Sequence, residues 1–201
     1  LELVENSGLY KVQYKIMNAK DYEVPQKRER VVIIGVRTDI PQEFSFPEFS
    51  KKSVFLRDIL TDVPASVGAK YPEAKRKVME LVPQGGCWIN LPEDIKREFM
   101  GEKSMKAGGG KRGMARRMGM DEQCLTLTTS PCQKQTERCH PLETRPFNVR
   151  EYARIQTFPD DYTFEGGMAN QYKQIGNAVP VKMAEAIGNS LKQFLEAAYM
   201  S

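Results

Sequence analysis

Histidine and tryptophan each occur only once in this chain of 201 residues, and cysteine occurs four times. Four cysteines in a chain of this length do not make a disulfide scaffold. Their spacing lacks the C-x2-C pair that structural zinc sites commonly use, so we predict no metal site at Cys124, Cys132, Cys139 and His140. No apolar run approaches the length needed to cross a bilayer, which argues against a membrane-spanning protein.

Apolar residues make up 40% of the chain and charged residues 28%, close to the averages of globular proteins. This length is sufficient for one large domain or two small ones with a real core. No signal peptide opens the sequence, so we expect a cytoplasmic protein. The first residue is Leu1 instead of methionine, which leads us to expect a trimmed or processed piece of a longer protein.

The net charge of +4 does not by itself indicate nucleic acid, but the basic residues are unevenly distributed. Residues 103–117 contain six Lys or Arg residues, no acidic residue, and three consecutive glycines at 108–110. A flexible basic loop of this kind can follow a phosphate backbone and release its counterions. A solvated, mobile surface loop explains the same pattern, so the sequence alone leaves both interpretations open.

Two strands are predicted near the start of the chain. Residues 10–16 alternate between apolar and polar, which indicates a half-buried strand, and residues 31–36 form a continuous apolar run typical of a more buried one. A loop through Pro25 joins them, so we expect an antiparallel pair. From residue 38 to about 143, eight prolines divide the chain, with brief helices predicted near 53–60, 73–82 and 93–99. This stretch is predicted to be an irregular, inserted small domain.

Regular structure is predicted to return at Asn148. Asn148 and Glu151 have the spacing of a capping box, which predicts the start of a helix that Pro159 ends. Pro180 suits the first turn of a final helix, whose apolar residues fall at positions 184, 187, 191, 194, 195 and 198. This stripe forms one face of an amphipathic helix and requires a large surface to pack against.

Several segments together resemble the closing motifs of bacterial DNA cytosine-5 methyltransferases. They are residues 18–37 (NAKDYEVPQKRERVVIIGVR), 145–160 (RPFNVREYARIQTFPD), 174–180 (QIGNAVP) and, less specifically, 125–130 (LTLTTS). The resemblance implies an α/β fold, mixed α+β in this part, made of one edge of the family's S-adenosylmethionine-binding sheet and a small irregular DNA-recognition domain. It assigns residues 1–37 to the late strand pair of the catalytic domain and 38–143 to the inserted target-recognition domain. Residues 144–201 would form a bracing helix and a C-terminal helix that return to the catalytic domain.

In that family the target cytosine is rotated out of the duplex, because its reactive edge is inaccessible within the stack. A cysteine thiolate attacks C6, a glutamate bonds N3, and an arginine that donates to O2 helps C5 accept a methyl group from S-adenosylmethionine. The resemblance implies that Arg30 makes the O2 contact and that Arg28 supports a neighbouring phosphate or the active-site loop. Alternate residues of an extended segment point the same way, so we expect Arg28 and Arg30 to share one face.

The resemblance also assigns residues around the final motif. Asn177, with Ala178 and Val179, is expected to contact S-adenosylmethionine or to hold the loop beside it. Gly176 permits a tight backbone approach. In the helix before this motif, polar residues are expected to be structural and to form ion pairs and backbone hydrogen bonds. They are Arg150, Glu151, Arg154 and Gln156.

The residues expected to contact DNA lie in the inserted domain. Thr126 precedes an aliphatic residue, as in the family's recognition domains, and is expected to touch a backbone phosphate. Lys, Arg and Gln side chains are suited to guanine and adenine in the major groove. The full set is Thr126, Lys111, Arg112, Arg116, Arg117, Gln133 and Arg138.

Two short runs imitate catalytic motifs of the family. Pro131-Cys132-Gln133 copies the nucleophile triplet, but it follows Arg30 instead of preceding it and lacks the family's flanking residues. Glu5-Asn6-Ser7 imitates the family's Glu-Asn-Val, but it lies too close to the strand that begins at Tyr10. We therefore predict neither run to be catalytic.

The sequence thus predicts the C-terminal portion of a bacterial, cytoplasmic cytosine-5 methyltransferase from a restriction–modification system. We expect it to recognise double-stranded DNA and to be inactive alone, because the nucleophile and most of the cofactor site are missing. The expected partners are an N-terminal catalytic half or a complementary subunit, with self-association through uncovered apolar faces. The alternatives are a separate, non-catalytic DNA-binding module and a nuclease or repair subunit that reuses the recognition domain.

Overall fold

The computed structural model describes residue 4, residues 6–101 and residues 113–199. Its strands are β1 (Tyr10–Asn18), β2 (Gln26–Lys27), β3 (Glu29–Arg37) and β4 (Cys124–Leu125). Its α-helices are α1 (Glu73–Glu80), α2 (Glu93–Met100), α3 (Val149–Ile155), α4 (Met168–Asn177) and α5 (Val181–Tyr199). Short 3₁₀ turns occur at Ala19–Tyr22, Leu56–Asp58 and Trp88–Asn90. The fold is therefore mixed α/β, as predicted.

The strands β1 and β3 form the antiparallel pair that the sequence predicts, with Ile16 directly opposite Val31. Met17, on one face, is fully buried. On the other face Ile16, Val31 and Ile33 are exposed by 64%, 58% and 52%. The expectation that residues 31–36 form a buried strand is therefore wrong for this face. Successive side chains alternate between the two sides of the ladder, and only one side is covered.

The covered side of the ladder packs against α5. Met17 and Met183 are fully buried in one cluster, and Ile187 packs against it. The predicted apolar stripe of α5 is only partly covered, because Leu191 and Leu195 remain exposed. Both the strand pair and the last helix thus present apolar surface that the described residues do not cover.

The middle of the described chain has few regular elements. Strand β4 consists of two residues and pairs in parallel with β2, with Gln26 opposite Cys124. Helices α1 and α2 lie where helices are predicted, but the stretch near 53–60 contains only a 3₁₀ turn, Leu56–Asp58. An α-helix does not continue there because Asp62 has a φ of 51° and Pro64 follows. A separate core cluster encloses Trp88, the single tryptophan.

Helix α3 begins with the predicted capping box. The Asn148 side chain accepts from the Glu151 amide at 2.8 Å, and the Glu151 carboxylate accepts from the Asn148 amide at 2.7 Å. Helix α4 is not among the elements predicted from the sequence, and its last turn contains Gly176. Tyr172 and Ile175 are buried on one face of α4, so packing outweighs the low helix propensity of glycine.

A search of the described helices finds none with the length and apolarity that a membrane crossing requires.

Gly176 packs directly against the main chain of residues 128 and 129. A Cβ at this position would lie 2.4 Å from the Thr128 carbonyl oxygen and 2.8 Å from the Thr129 nitrogen. Both are backbone atoms, which cannot rotate aside as the end of a side chain can. The close approach of α4 to this segment therefore requires glycine.

We predict that Gly176→Ala lowers the free energy of unfolding by about 1–3 kcal/mol, because α4 must move away from Thr128. Gly188, inside α5, is the matched control: in the described structure an added Cβ would meet no heavy atom within 4 Å. Gly188→Ala is expected to raise the free energy of unfolding by about 0.5–1 kcal/mol. Urea denaturation followed by circular dichroism measures both changes, and a neutral Gly176→Ala variant would contradict the tight contact.

Candidate functional site

Arg28 lies between β2 and β3 and is only 2% exposed. Its Nη1 donates to the Leu127 carbonyl at 3.0 Å, and its Nη2 donates to the Gly176 and Ala178 carbonyls at 2.9 and 3.0 Å. Burial, and secondarily the positive charge of nearby Arg30, lower the pKa of Arg28 to about 10. The guanidinium therefore remains charged at neutral pH. One buried cation joins the start of the chain, the middle segment (residues 38–143) and the end of α4.

Further contacts converge on the same middle segment. The Gln26 side-chain oxygen accepts from the Leu127 amide at 3.0 Å, and the Tyr152 hydroxyl donates to the Thr128 carbonyl at 3.1 Å. Gly176 also packs against the main chain of Thr128. Both main-chain groups of Leu127 and the carbonyl of Thr128 are therefore held by side chains. We call the following residues the junction: Gln26, Arg28, Leu127, Thr128 and Gly176.

The site predicted from the sequence does not include Gln26 or Tyr152. Gln26 stands two positions before Arg28, the spacing that places extended residues on one side, and this signal was available. Tyr152 gave no comparable signal, because an aromatic residue in a short helix is explained equally well by core packing.

Arg30 differs from Arg28 in its environment, contrary to the expectation of a shared face. Arg30 is exposed, and its Nη1 donates to the Glu29 carbonyl at 2.6 Å. The difference arises because β2 ends at Lys27 and β3 begins at Glu29, so Arg28 lies at a break in the strand. Of the two arginines, Arg30 is accessible to a ligand and Arg28 is committed to the protein interior. The expected phosphate contact of Arg28 is therefore not compatible with its burial.

The residues expected near the cofactor lie at the end of α4. Asn177 is exposed at the rim of a cleft of about 400 Å³, which Glu165, Lys173 and Gln174 also line. The carbonyl of Ala178 accepts from Arg28, and Val179 is 46% exposed. Since Arg28 binds the carbonyls on both sides of Asn177, the position of Asn177 is fixed relative to the start of β3.

Arg117 is not available for the DNA contact that the sequence suggests. It is 6% exposed and makes five hydrogen bonds to protein acceptors. The acceptors are the carbonyls of Met79, Val82, His140 and Glu143 and the hydroxyl of Thr144. Arg117 thus uses all of its N–H donors to hold loops of the middle segment together.

Arg138 is buried as well, with 5% exposure. It donates to the carbonyls of Glu137, Thr126 and Gly113 at 2.6, 3.3 and 3.4 Å. Burial lowers the pKa of its guanidinium. The expected base contact of Arg138 is therefore corrected to a structural one, next to the segment that the junction holds.

The other predicted DNA-contacting residues vary in accessibility. Thr126 is partly exposed but donates its hydroxyl proton to the Lys27 carbonyl at 2.7 Å, so a phosphate would compete with that carbonyl. Gln133 is exposed on a loop. Arg116 is partly buried and pairs with Glu122. Lys111 and Arg112 lie outside the described residues, as does Glu5 of the imitated Glu-Asn-Val run.

The polar residues expected to be structural contact protein acceptors. Arg154 pairs with Asp160 at 2.6 Å and donates to the carbonyls of Ile59, Thr61 and Asp62. Glu151 binds Arg145 at 2.7 Å in addition to its capping bond. Arg150 donates to the Pro159 and Tyr162 carbonyls, and Gln156 donates to the Ile175 carbonyl at 2.9 Å.

Cys132 is a partly buried, free cysteine. Burial raises the pKa of its thiol, although the charge of Lys75 opposes this effect. A thiol with a raised pKa supplies little thiolate at neutral pH, which is unfavourable for a nucleophile.

A family model for C-5 cytosine-specific DNA methylases matches residues 1–193. Over 92% of its length the chain is 58% identical to the type II methyltransferase M.Sau96I of Staphylococcus aureus. Over 96% of its length it is 50% identical to the type II methyltransferase M.Eco47II of Escherichia coli. It covers 44% and 48% of those proteins, so the chain spans about half the length of these curated relatives.

Among solved structures, the fold is similar to an E. coli prophage-encoded protein described as a DNA modification methyltransferase. The TM-score is 0.62 at 22% identity, over 94% of this chain and 62% of that one. At this identity the likeness shows the fold alone. C-5 cytosine methyltransferases use S-adenosyl-L-methionine as methyl donor. With the family model matching nearly the whole sequence, this chain belongs to the C-5 cytosine-specific DNA methylases.

Proposed function

We propose that these residues supply the target-recognition and closing part of a type II DNA cytosine-5 methyltransferase. Residues 38–143 would read double-stranded DNA, residues 1–37 would present an arginine to the target cytosine, and residues 144–201 would brace the two. The relatives named above are type II methyltransferases, which supports DNA methylation within a restriction–modification system. We also propose that this part of the protein recognises a specific DNA sequence.

The observation that supports these three roles most directly is the set of hydrogen bonds made by Arg28. They connect the strand that carries Arg30 with Leu127 in the middle segment and with the residues flanking Asn177. Three proposed parts are therefore held in one fixed arrangement: Arg30 as the donor to cytosine, residues 38–143 as the DNA-recognition segment, and Asn177 as the cofactor contact. Such preorganisation is what catalysis by positioned donors requires.

Arg30 is the proposed donor to the target cytosine. Its guanidinium is exposed, so it can donate to the O2 atom of a cytosine rotated out of the duplex. Stabilising negative charge on O2 draws electron density from the ring and favours addition at C6. Arg28 acts on the reaction through position only, because it is buried against carbonyls.

The residues at the end of α4 fit a contact with S-adenosylmethionine, which supplies the methyl group when bound. Asn177 presents an exposed amide, with both donor and acceptor groups, at a cleft of about 400 Å³. Val179 offers exposed apolar surface beside it. The Ala178 carbonyl is already an acceptor for Arg28, so Ala178 would serve the cofactor by fixing its neighbours.

The burial of Arg117 and Arg138 removes both from the proposed DNA contacts. Gln133 remains a candidate within the described structure, together with Thr126, whereas Arg116 is 12% exposed and is paired with Glu122. Lys111 and Arg112 remain proposals from the sequence alone.

The uncovered apolar faces support the proposal that a second protein segment packs here. Ile16 and Val31 lie opposite each other on the exposed side of the β1–β3 ladder, and Leu195 is 50% exposed on α5. Contiguous exposed apolar surface on a protein commonly marks an interface. The proposed occupant is a complementary catalytic half, supplied by the same polypeptide or by another subunit.

We predict that a purified polypeptide of these 201 residues does not transfer a methyl group to DNA. Adding the part of the S. aureus relative that this chain does not match should restore transfer, because that part would supply the nucleophile and the rest of the cofactor site. Incorporation of tritium from labelled S-adenosylmethionine measures both. Cys132→Ser should leave the restored activity unchanged.

Methyl transfer by the chain alone, abolished by Cys132→Ser, would contradict the assignment of the nucleophile to another segment. DNA binding with no activity after reconstitution would instead favour a recognition module that takes no part in chemistry.

In the reconstituted enzyme, Arg30→Ala is predicted to lower kcat by about 10²–10³-fold, because one donor to the developing charge is lost. KM for DNA should change little. Arg37→Ala is the matched control, since Arg37 is also exposed on β3 but pairs with Asp39. A large rise in KM with normal kcat would indicate that Arg30 binds phosphate and does not touch the cytosine.

The isolated chain is predicted to self-associate through its uncovered ladder face. Replacing both Ile16 and Val31 by Thr keeps β-branched residues in the strands but removes apolar surface, so association should weaken at least about fivefold. Val67→Thr, at a residue 56% exposed elsewhere, is the control. Sedimentation velocity over a range of concentrations measures the effect, and a monomer at every concentration would disprove it.

A further inference from the structure

A cleft of about 440 Å³ lies beside the short β2–β4 pair. Its apolar lining comes from Cys87, Ile89 and Leu125, and its polar lining from Lys27, Asn90, Arg116 and Glu122. Lys27 and Leu125 are direct partners in the parallel pair, and Thr126, the next residue, donates to the Lys27 carbonyl. The cleft is therefore adjacent to the junction, on the segment that leads into Arg28 and Arg30.

Two of the charged groups in this cleft are already matched within the protein. Arg116 pairs with Glu122 and donates to the carbonyls of Gly85, Gly86 and Arg117. Glu122 also accepts from the Gly119 amide. The pair contributes little net charge, and its hydrogen-bonding groups are largely occupied. A ligand in the cleft would therefore be recognised by the remaining polar groups.

Those remaining groups, on Asn90 and Lys27, are donors. The side-chain oxygen of Asn90 accepts from the Cys87 amide at 3.0 Å, which caps the 3₁₀ turn Trp88–Asn90. This bond fixes the orientation of the amide and leaves its Nδ2 group unbonded among the described residues. The ammonium group of Lys27 likewise has no protein acceptor in the described part of the chain. Both residues are exposed.

Two hydrogen-bond donors without protein partners favour a ligand that presents two acceptors. Asparagine normally reads adenine by donating to N7 and accepting from the N6 amino group, but here the Asn90 oxygen is held towards the Cys87 amide and Lys27 can only donate. Guanine is the base whose major-groove edge presents two acceptors, N7 and O6, and no donor.

We propose that this cleft reads a guanine of the DNA recognition sequence, with Asn90 and Lys27 donating to its major-groove edge. The inference rests on the proposed function in DNA recognition and adds a specific base and two residues to it. Neither residue was among those that the sequence suggested as DNA contacts.

The position of the cleft also limits where that guanine lies. Lys27 and Arg30 are three residues apart along the chain, so their Cα atoms lie at most roughly 11 Å apart. If Arg30 contacts the target cytosine, the guanine therefore lies close to that cytosine in the recognition sequence.

The test is selection of binding sites from a random DNA library by the chain and by Asn90→Asp. Aspartate retains the oxygen that accepts from the Cys87 amide, so the 3₁₀ turn is preserved, but it replaces the Nδ2 donor with an acceptor. We expect the variant to lose about tenfold or more of its preference for guanine at one position. Preferences at the other positions should be unchanged. Asn189→Asp, on the exposed side of α5, is the matched control for the added charge.

Lys27→Met provides a second variant that leaves the main-chain carbonyl for Thr126 intact. It should reduce preference at the same position as Asn90→Asp, while Lys192→Met on α5 should not. Thermal denaturation confirms that each variant is folded.

The possible outcomes distinguish failure of the guanine contact from failure of the proposed DNA recognition. If the chain selects a sequence and both cleft variants leave it unaltered, the cleft does not read a base, although DNA recognition stands. A loss of affinity for all sequences alike would also overturn base reading and indicate a phosphate contact. If the unaltered chain selects no sequence at all, the proposed recognition function fails, and the guanine contact fails with it.

Discussion

The buried guanidinium of Arg28 is the constraint on which the rest of this structure depends. A desolvated cation is costly unless hydrogen bonds compensate it, and here both Nη groups donate to main-chain carbonyls, those of Leu127, Gly176 and Ala178. Hydrogen bonds from charged donors contribute about 1.5–3 kcal/mol each, roughly twice the value for neutral pairs. Because the acceptors belong to segments about 50 residues apart along the chain, the arginine fixes tertiary arrangement where no continuous sheet does so.

The middle segment shows the same principle on a larger scale. Its described part contains one strand of two residues and two short α-helices, so few carbonyls are satisfied by regular ladders. Side chains replace the ladders: Arg117 makes hydrogen bonds to carbonyls from Met79 to Glu143, and Arg138 holds the carbonyl of Thr126. Buried carbonyls need donors wherever they lie. An irregular segment can therefore be rigid, as a segment that recognises a specific DNA sequence must be.

This use of arginine also explains what the sequence could and could not predict. The capping box at Asn148, the antiparallel pair and the start of the last helix follow from local rules, and the structure confirms them. The burial of Arg117 and Arg138, and the acceptors that they bind, do not follow from local rules. A phosphate oxygen and a carbonyl oxygen are both acceptors for guanidinium, and only the tertiary path of the chain decides which one is near. Basic residues in a DNA-binding family were therefore assigned to DNA too readily.

The break between β2 and β3 has a further consequence for how the segment 26–30 is used. In a continuous strand Arg28 and Arg30 would point the same way, and both would be accessible or both buried. The break turns Arg28 inward to the junction while Arg30 remains exposed. Under these proposals, four residues of the stretch 26–30 have separate roles. Gln26 and Arg28 hold the reading segment, Lys27 contacts a base, and Arg30 contacts the target. Because these groups share one short stretch of backbone, a shift of the reading segment displaces Arg30 as well, so recognition and chemistry are coupled mechanically. Coupling of this kind allows a wrong sequence to be rejected at the chemical step even after the DNA has bound.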